Sequence, residues 1–222
     1  MAALRGLGPG GTIPGMAKRA LILVDLQNDF CPGGALEVAH GDEVVEVANR
    51  VQKRFELVVA TQDWHPADHG SFAANHPGAE PYQVIDLHGL PQVLWPVHCV
   101  QDSDGARFHA DLDTARIAKV FPKGTDPTVD SYSGFHDNGR RKSTGLGEWL
   151  RAQGVDTVYV LGLATDYCVK FTALDAVTDG FATYLLEDGC RGVELHAGDS
   201  EAAIDEMRGA GVTILDSGSI GS

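Results

Sequence analysis

Six short apolar runs set the first constraint on this chain. ALILVD (20–25), ELVVATQD (56–63), ARIAKVFPK (115–123), DTVYVLG (156–162) and FATYLLED (181–188) are rich in aliphatic and β-branched residues, and VTIL (212–215) closes the series. Runs of this length without polar alternation read as strands buried on both faces. Helical patterns lie between several of them. Val44, Val47, Ala48, Val51 and Phe55 follow i, i+3, i+4, i+7 spacing, and 148–153 and 202–210 read similarly. Strand therefore alternates with helix, which predicts right-handed βαβ units. The expected fold class is α/β, a three-layer α/β/α domain around a central, mainly parallel six-stranded sheet.

A chain of 222 residues with 43% hydrophobic content can build one core of this kind. We expect a single hydrolase-sized domain over 19–222. It follows a leader, 1–18, whose first sixteen residues (MAALRGLGPGGTIPGM) are rich in Gly and Pro and lack apolar periodicity. The net charge of −14, from 17 basic and 31 acidic side chains, repels phosphate backbones and anionic membrane surfaces. Neither nucleic acid nor a membrane is an expected partner; self-association into a homo-oligomer stays open. No apolar run approaches the roughly 20 residues of a bilayer span. Cys31, Cys99, Cys168 and Cys190 form no C-x-x-C pair, and a domain this size folds without disulfides, so a reducing cytoplasm is the expected setting.

Two stretches interrupt the rhythm, 64–101 and 124–144, and both carry His, aromatic, Asp and Gly residues. Loops that long in a compact domain are usually functional. In an open parallel sheet, ligands bind at the carboxyl ends of the strands, near a reversal of strand order. Asp25 ends the first run, Asp63 and His65 follow the second, Lys123 follows the third, and Cys168 lies just past the fourth. Topology alone thus gathers these residues on one rim.

Cys168 sits in GLATDYCVKFTALDAV, where strand gives way to helix. With Thr165 as N-cap, the thiol would occupy the first helical turn and have a lowered pKa. No His stands at a facing strand end to take its proton, which leaves Asp25 and Lys123. On residue type alone Asp25 is as readily a buried hydrogen-bonding carboxylate, and Lys123 a solvated charge. Asp63 and His65 alternate in the extended TQDWH, so both point to one face. His98 in LWPVHC is a candidate third ligand for one divalent ion, with His69 or Ser71 in DHGSF as candidate fourth. Such a set suits zinc, iron or manganese equally.

The segments VDLQNDFCPGG (24–34), QDWHPADHGSF (62–72), WPVHCVQ (95–101), VFPKGTDPTVDSYSGF (120–135), GLATDYCVKFTALDA (162–176) and DGCRGV (188–193) together resemble the nicotinamidases, within the isochorismatase-like cysteine hydrolases. The resemblance runs from about Arg19 to the C-terminus. It implies hydrolysis of nicotinamide (and pyrazinamide) to the acid and ammonia, in NAD salvage. It implies a triad of Asp25, Lys123 and Cys168, with Ala164 and Cys168 forming an oxyanion hole. It implies a metal held by Asp63, His65 and His98, and a pyridine ring bound by Phe30, Trp95, Tyr132 and Leu163. A cis peptide between Leu163 and Ala164 is also implied. Two rivals stand beside this reading: a metal-free hydrolase of the same superfamily, and a non-catalytic metal- or pyridine-binding protein.

Overall fold

The computed structural model describes residues 18–221. The expected leader lies outside them except for Lys18, which opens the first strand rather than closing a leader. Six parallel strands form the central sheet: β1 (Lys18–Val24), β2 (Leu57–Asp63), β5 (Ile117–Lys123), β6 (Val155–Leu163), β7 (Ala182–Arg191) and β8 (Thr213–Leu215). Their order is β5-β2-β1-β6-β7-β8. Ala20 to Val24 are wholly buried, as expected of a central strand covered on both faces.

Four helices supply the crossovers: α1 (Glu43–Val51), α2 (Leu146–Ala152), α3 (Lys170–Thr178) and α4 (Asp199–Gly209). α1 buries Val44, Val45, Ala48 and Val51, and places Glu43 and Glu46 in its first turn and Arg50 in its last, as the helix dipole favours. The apolar period that runs on to Phe55 outlasts the helix, because a single 3-10 turn (Gln52–Arg54) carries Phe55 into the core. Right-handed crossovers send α1 to one face of the sheet and α2, α3 and α4 to the other.

The stretch 64–101 is not all loop. It contains a hairpin, β3 (Val84–Leu87) with β4 (Leu90–Val93), outside the main sheet. Its strands are four residues long, and Val84 is 65% exposed, so no buried run marks them. The turn also lacks an Asn-Gly or Asp-Gly signal: His88 and Gly89 take the two positive φ angles, 52° and 88°.

The first described strand, β1, lies in the middle of the sheet; the chain then runs to β2 and β5 on one side and crosses to β6 on the other side of β1. The reversal lies between β1 and β6, whose ends pair Val24 with Gly162. Gly162 has a φ of 137°, and a Cβ there would fall 2.1 Å from the Val24 carbonyl oxygen. Gly162→Ala should therefore destabilise the fold by about 2 kcal/mol or more. Urea unfolding tests this; a midpoint equal to wild type at unchanged slope would contradict the packing described.

Candidate active site

Four strand ends lie side by side in the order Lys123, Asp63, Asp25, Cys168. Asp63 is the register partner of Lys123 across β2 and β5. Asp25 follows β1 with φ 49°, a left-handed conformation uncommon away from glycine. Cys168 follows β6 within a widened helical turn, Thr165–Val169, that leads into α3.

Lys123 is the hub, with a fully buried side chain. Its ammonium donates to Asp63 Oδ1, to the Ser131 carbonyl at 3.0 Å and to Cys168 Sγ at 3.3 Å. Those three bonds use its three hydrogens. Asp25 Oδ2 lies 2.9 Å from Nζ yet has no aligned hydrogen bond, whereas Oδ1 accepts from Thr61 Oγ1 at 2.7 Å. One carboxylate oxygen is thus hydrogen-bonded and the other rests on its ion pair with Lys123, in a carboxylate grouped with Asp63 and Cys168. Burial raises the Asp25 pKa to about 6, against the opposing pull of Lys123. Burial would neutralise Lys123, but Asp25 and Asp63 hold its pKa well above the ordinary lysine value.

The expected lowered thiol pKa is not found. Burial pushes Cys168 well above its ordinary value, and Lys123 offsets only part of that. The helix also starts elsewhere: the turn opens from Ala164 rather than Thr165, and regular α-helix begins only at Lys170. Sequence spacing does not reveal that widened turn. Within it the N–H groups of Tyr167 and Val169 both bond to the Ala164 carbonyl at 3.1 Å, and the Cys168 N–H between them is passed over. The Leu163–Ala164 peptide is cis, as expected.

Beside the triad, Asp63, His65 and His98 converge. Asp63 Oδ2 lies 3.5 Å from His65 Nε2 and 3.8 Å from His98 Nε2. Ligands about 2.1 Å from a tetrahedral ion stand roughly 3.4 Å apart, so the spacing fits a bound metal. The tautomers fit too. His65 Nδ1 is 2.9 Å from the Gly124 carbonyl and His98 Nδ1 is 2.7 Å from the Pro96 carbonyl. Carbonyls only accept, so each Nδ1 carries the proton and each Nε2 presents a lone pair. Burial and the neighbouring His65 push His98 down to about 4, which keeps it neutral. Burial would raise Asp63, but Lys123 and His65 hold it far below the usual carboxylate range. Asp63 divides its work: Oδ1 binds Lys123 while Oδ2 faces the imidazoles.

His69 and Ser71 lie beside that set. His69 Nδ1 is 2.7 Å from Ser71 Oγ and 3.2 Å from the Ser71 N–H, and its Nε2 is buried with no aligned hydrogen bond. His69 groups instead with His65 and Asp130.

Phe30, Trp95 and Tyr132 line a pocket over Cys168, together with Leu36, Asp130, Ala164, Tyr167 and Val193. The free space is about 30 Å³, room for one water, so a ring is admitted only as lining side chains move. Leu163 does not reach it; its side chain is fully buried in the core. A larger cavity of about 450 Å³ lies on the outer side of Tyr132 and Tyr167 and touches no triad residue. Sequence reasoning missed Thr61, Asp130, Tyr167 and Val193. It also missed Gln27, whose amide clamps the Asp63 backbone with bonds of 2.8 and 2.9 Å.

The fold and this rim define a three-layer α/β domain with a buried cysteine at its switch point, and residues 19–219 match the isochorismatase domain. The chain belongs to the isochorismatase family. It is 57% identical over 203 residues to the nicotinamidase of Escherichia coli, covering 90% of this chain and 95% of that one. A nicotinamidase/pyrazinamidase structure from Acinetobacter baumanii superposes with a TM-score of 0.89 at 46% identity, over 91% of this chain and 98% of the other. The pyrazinamidase of Pyrococcus horikoshii in complex with zinc gives 0.73 at 39% identity, over 90% and 99%.

Gly124 tests the metal geometry. Its φ is +63°, and a Cβ there would lie 2.3 Å from the His65 ring. Gly124→Ala should displace His65 and weaken metal binding about 10- to 100-fold. Metal retention during dialysis against a chelator measures it; wild-type retention would remove His65 from the ligand set.

Proposed function

We propose that this chain is a nicotinamidase, hydrolysing nicotinamide to nicotinate and ammonia through a thioester on Cys168, in NAD salvage. The observation that carries this reading is the buried Asp25 carboxylate, ion-paired to Lys123 and grouped with a thiol that Lys123 also contacts. A binding protein has no use for that arrangement. The relatives named above act on this class of amide, and a cytoplasmic setting suits four free thiols.

Asp25 takes the Cys168 proton as sulfur adds to the carboxamide carbon. The ammonium of Lys123 stabilises the sulfur anion as it forms. The Ala164 and Cys168 N–H groups receive the oxyanion. Asp25 then returns its proton to the leaving nitrogen, and ammonia departs. In the second half Asp25 deprotonates a water, hydroxide attacks the thioester, and nicotinate leaves as the thiol regains its proton. Asp63, His65 and His98 would hold one divalent ion, zinc, iron or manganese, which when bound supplies Lewis acidity and a fixed point for the ring nitrogen. Phe30, Trp95 and Tyr132 would enclose the ring. Pyrazinamide, with the same carboxamide and a ring nitrogen, should also be accepted.

Ammonia release from nicotinamide tests the reading. Cys168→Ala should lower turnover to below about a hundredth of wild type while fold and metal stay intact, as expected for loss of a nucleophile. Alanine at Cys31 or Cys190 should leave most of the activity. Greater residual turnover in Cys168→Ala would exclude a thioester.

The pH profile tests the base. Asp25 works only when ionised, and its pKa is about 6, so kcat/KM should be level above that value and fall about tenfold per unit below it. A profile flat down to pH 4.5 would assign the base elsewhere.

A further inference from the structure

The β3–β4 hairpin stands outside the main sheet, yet β4 sends one polar side chain inward. Gln92 is 2% exposed. Its amide nitrogen lies 2.8 Å from the Val93 carbonyl, 3.0 Å from Asp130 Oδ2 and 3.1 Å from the Tyr132 hydroxyl. A carbonyl and a carboxylate can only accept, so the donating end of the amide is the one turned to them. Asp130 is itself held, its Oδ1 accepting the Ser131 N–H at 2.8 Å. The chain of contacts runs from the loop backbone through Asp130 and Gln92 to a phenol at the pocket wall.

Tyr132 depends on that chain for its orientation. Its other polar contact is Trp95 Nε1, which donates to the same oxygen at 3.2 Å. Trp95 donates one full bond to the phenol; the Gln92 amide has two hydrogens for three acceptors, so its bond to the phenol shares an N–H with the Val93 carbonyl or Asp130. The remaining neighbours are aromatic: Trp95, Tyr167 and Phe171, with centroids 5.4 to 6.3 Å away. Such contacts are worth little individually and tolerate tilting of the ring. Burial keeps the Tyr132 pKa well above its ordinary value, so the phenol keeps its proton.

We propose that Gln92 is a positioning residue. Anchored on Asp130, it holds the Tyr132 ring and hydroxyl at the wall of the catalytic pocket and thereby sets affinity for the pyridine amide rather than the rate of bond cleavage. The inference rests on the nicotinamidase reading and on Tyr132 as part of the ring site. It also gives the hairpin a purpose, since β4 and the residues just after it supply both donors to the phenol.

The test is a double-mutant cycle between Gln92 and Tyr132. It is read by steady-state kinetics on nicotinamide and by calorimetric binding of nicotinate, with thermal unfolding as a check on folding. Gln92→Met should raise KM and the nicotinate Kd about fivefold or more while kcat stays within about twofold, because the phenol loses a donor without loss of volume. Gln92→Glu keeps the shape but offers an acceptor where a donor stood, and should do the same. Tyr132→Phe should raise both constants alone, and adding Gln92→Met to it should cost less than about a further twofold. Unchanged KM and Kd in both folded Gln92 variants, a loss confined to kcat, or effects that multiply in the double variant would each overturn the proposal. A wild-type protein that binds nicotinate yet releases no ammonia would sink the hydrolase reading instead, and the Kd cycle would still decide Gln92.

Discussion

A buried ammonium between two carboxylates and a thiol is the interaction on which the rest of this site depends. Lys123 has no solvent to fall back on, and an unpaired charge at that depth costs several kcal/mol. It stays charged because Asp25 and Asp63 surround it, and each of those is tolerated because Lys123 is there. The three acceptors of its hydrogens come from the end of β2, from the loop after β5 and from the turn after β6. One side chain therefore fixes three separate segments relative to one another. Removing it would leave two carboxylates facing each other in a dry site, the situation in which breaking a buried ion pair is most damaging.

The sheet makes this convergence cheap. Parallel strands end on the same rim, and the order β5-β2-β1-β6 sets four functional residues on four adjacent ends. Lysine suits the outermost position because its stem reaches across β2 toward β1 and β6. Asp25 and Cys168 sit on either side of the reversal between β1 and β6. The candidate ligands Asp63, His65 and His98 use the neighbouring seam. Backbone bonds from His65 N to the Cys99 carbonyl (3.0 Å) and from Gln101 N to the His65 carbonyl (2.8 Å) extend the end of β2 by one short bridge. That bridge brings His98 beside His65 across 33 residues of chain.

What could be read in the sequence followed from two periodicities and from topology. Continuous apolar runs revealed the six sheet strands, and strand-end logic revealed Asp25, Asp63, Lys123 and Cys168 as one cluster. The hairpin escaped because a four-residue, half-exposed strand carries no burial signal, and with it went Gln92. Thr61 and Gln27 escaped for a different reason: each acts through a single hydrogen bond or clamp within an otherwise ordinary strand or turn, and no spacing rule marks that. The thiol was misjudged because helix-dipole reasoning assumes partial exposure at a regular first turn. Here the turn is widened and the sulfur is buried, and desolvation outweighs the dipole.

That raised thiol pKa bears on how the site is balanced. With Cys168 protonated, the buried charges are two carboxylates against one ammonium, a net negative cluster that opposes formation of a thiolate. Asp25, pushed up to about 6 chiefly by its burial, still ionises at neutral pH and adds to that imbalance. A cation held at Asp63 Oδ2 answers the same imbalance without consuming a proton, and leaves the Oδ1 bond to Lys123 in place. The two sites are therefore coupled through one carboxylate. Asp63 faces the imidazoles with one oxygen and pairs with Lys123 through the other, so a charge placed on the imidazole side would set how much of the Lys123 field is available to the sulfur.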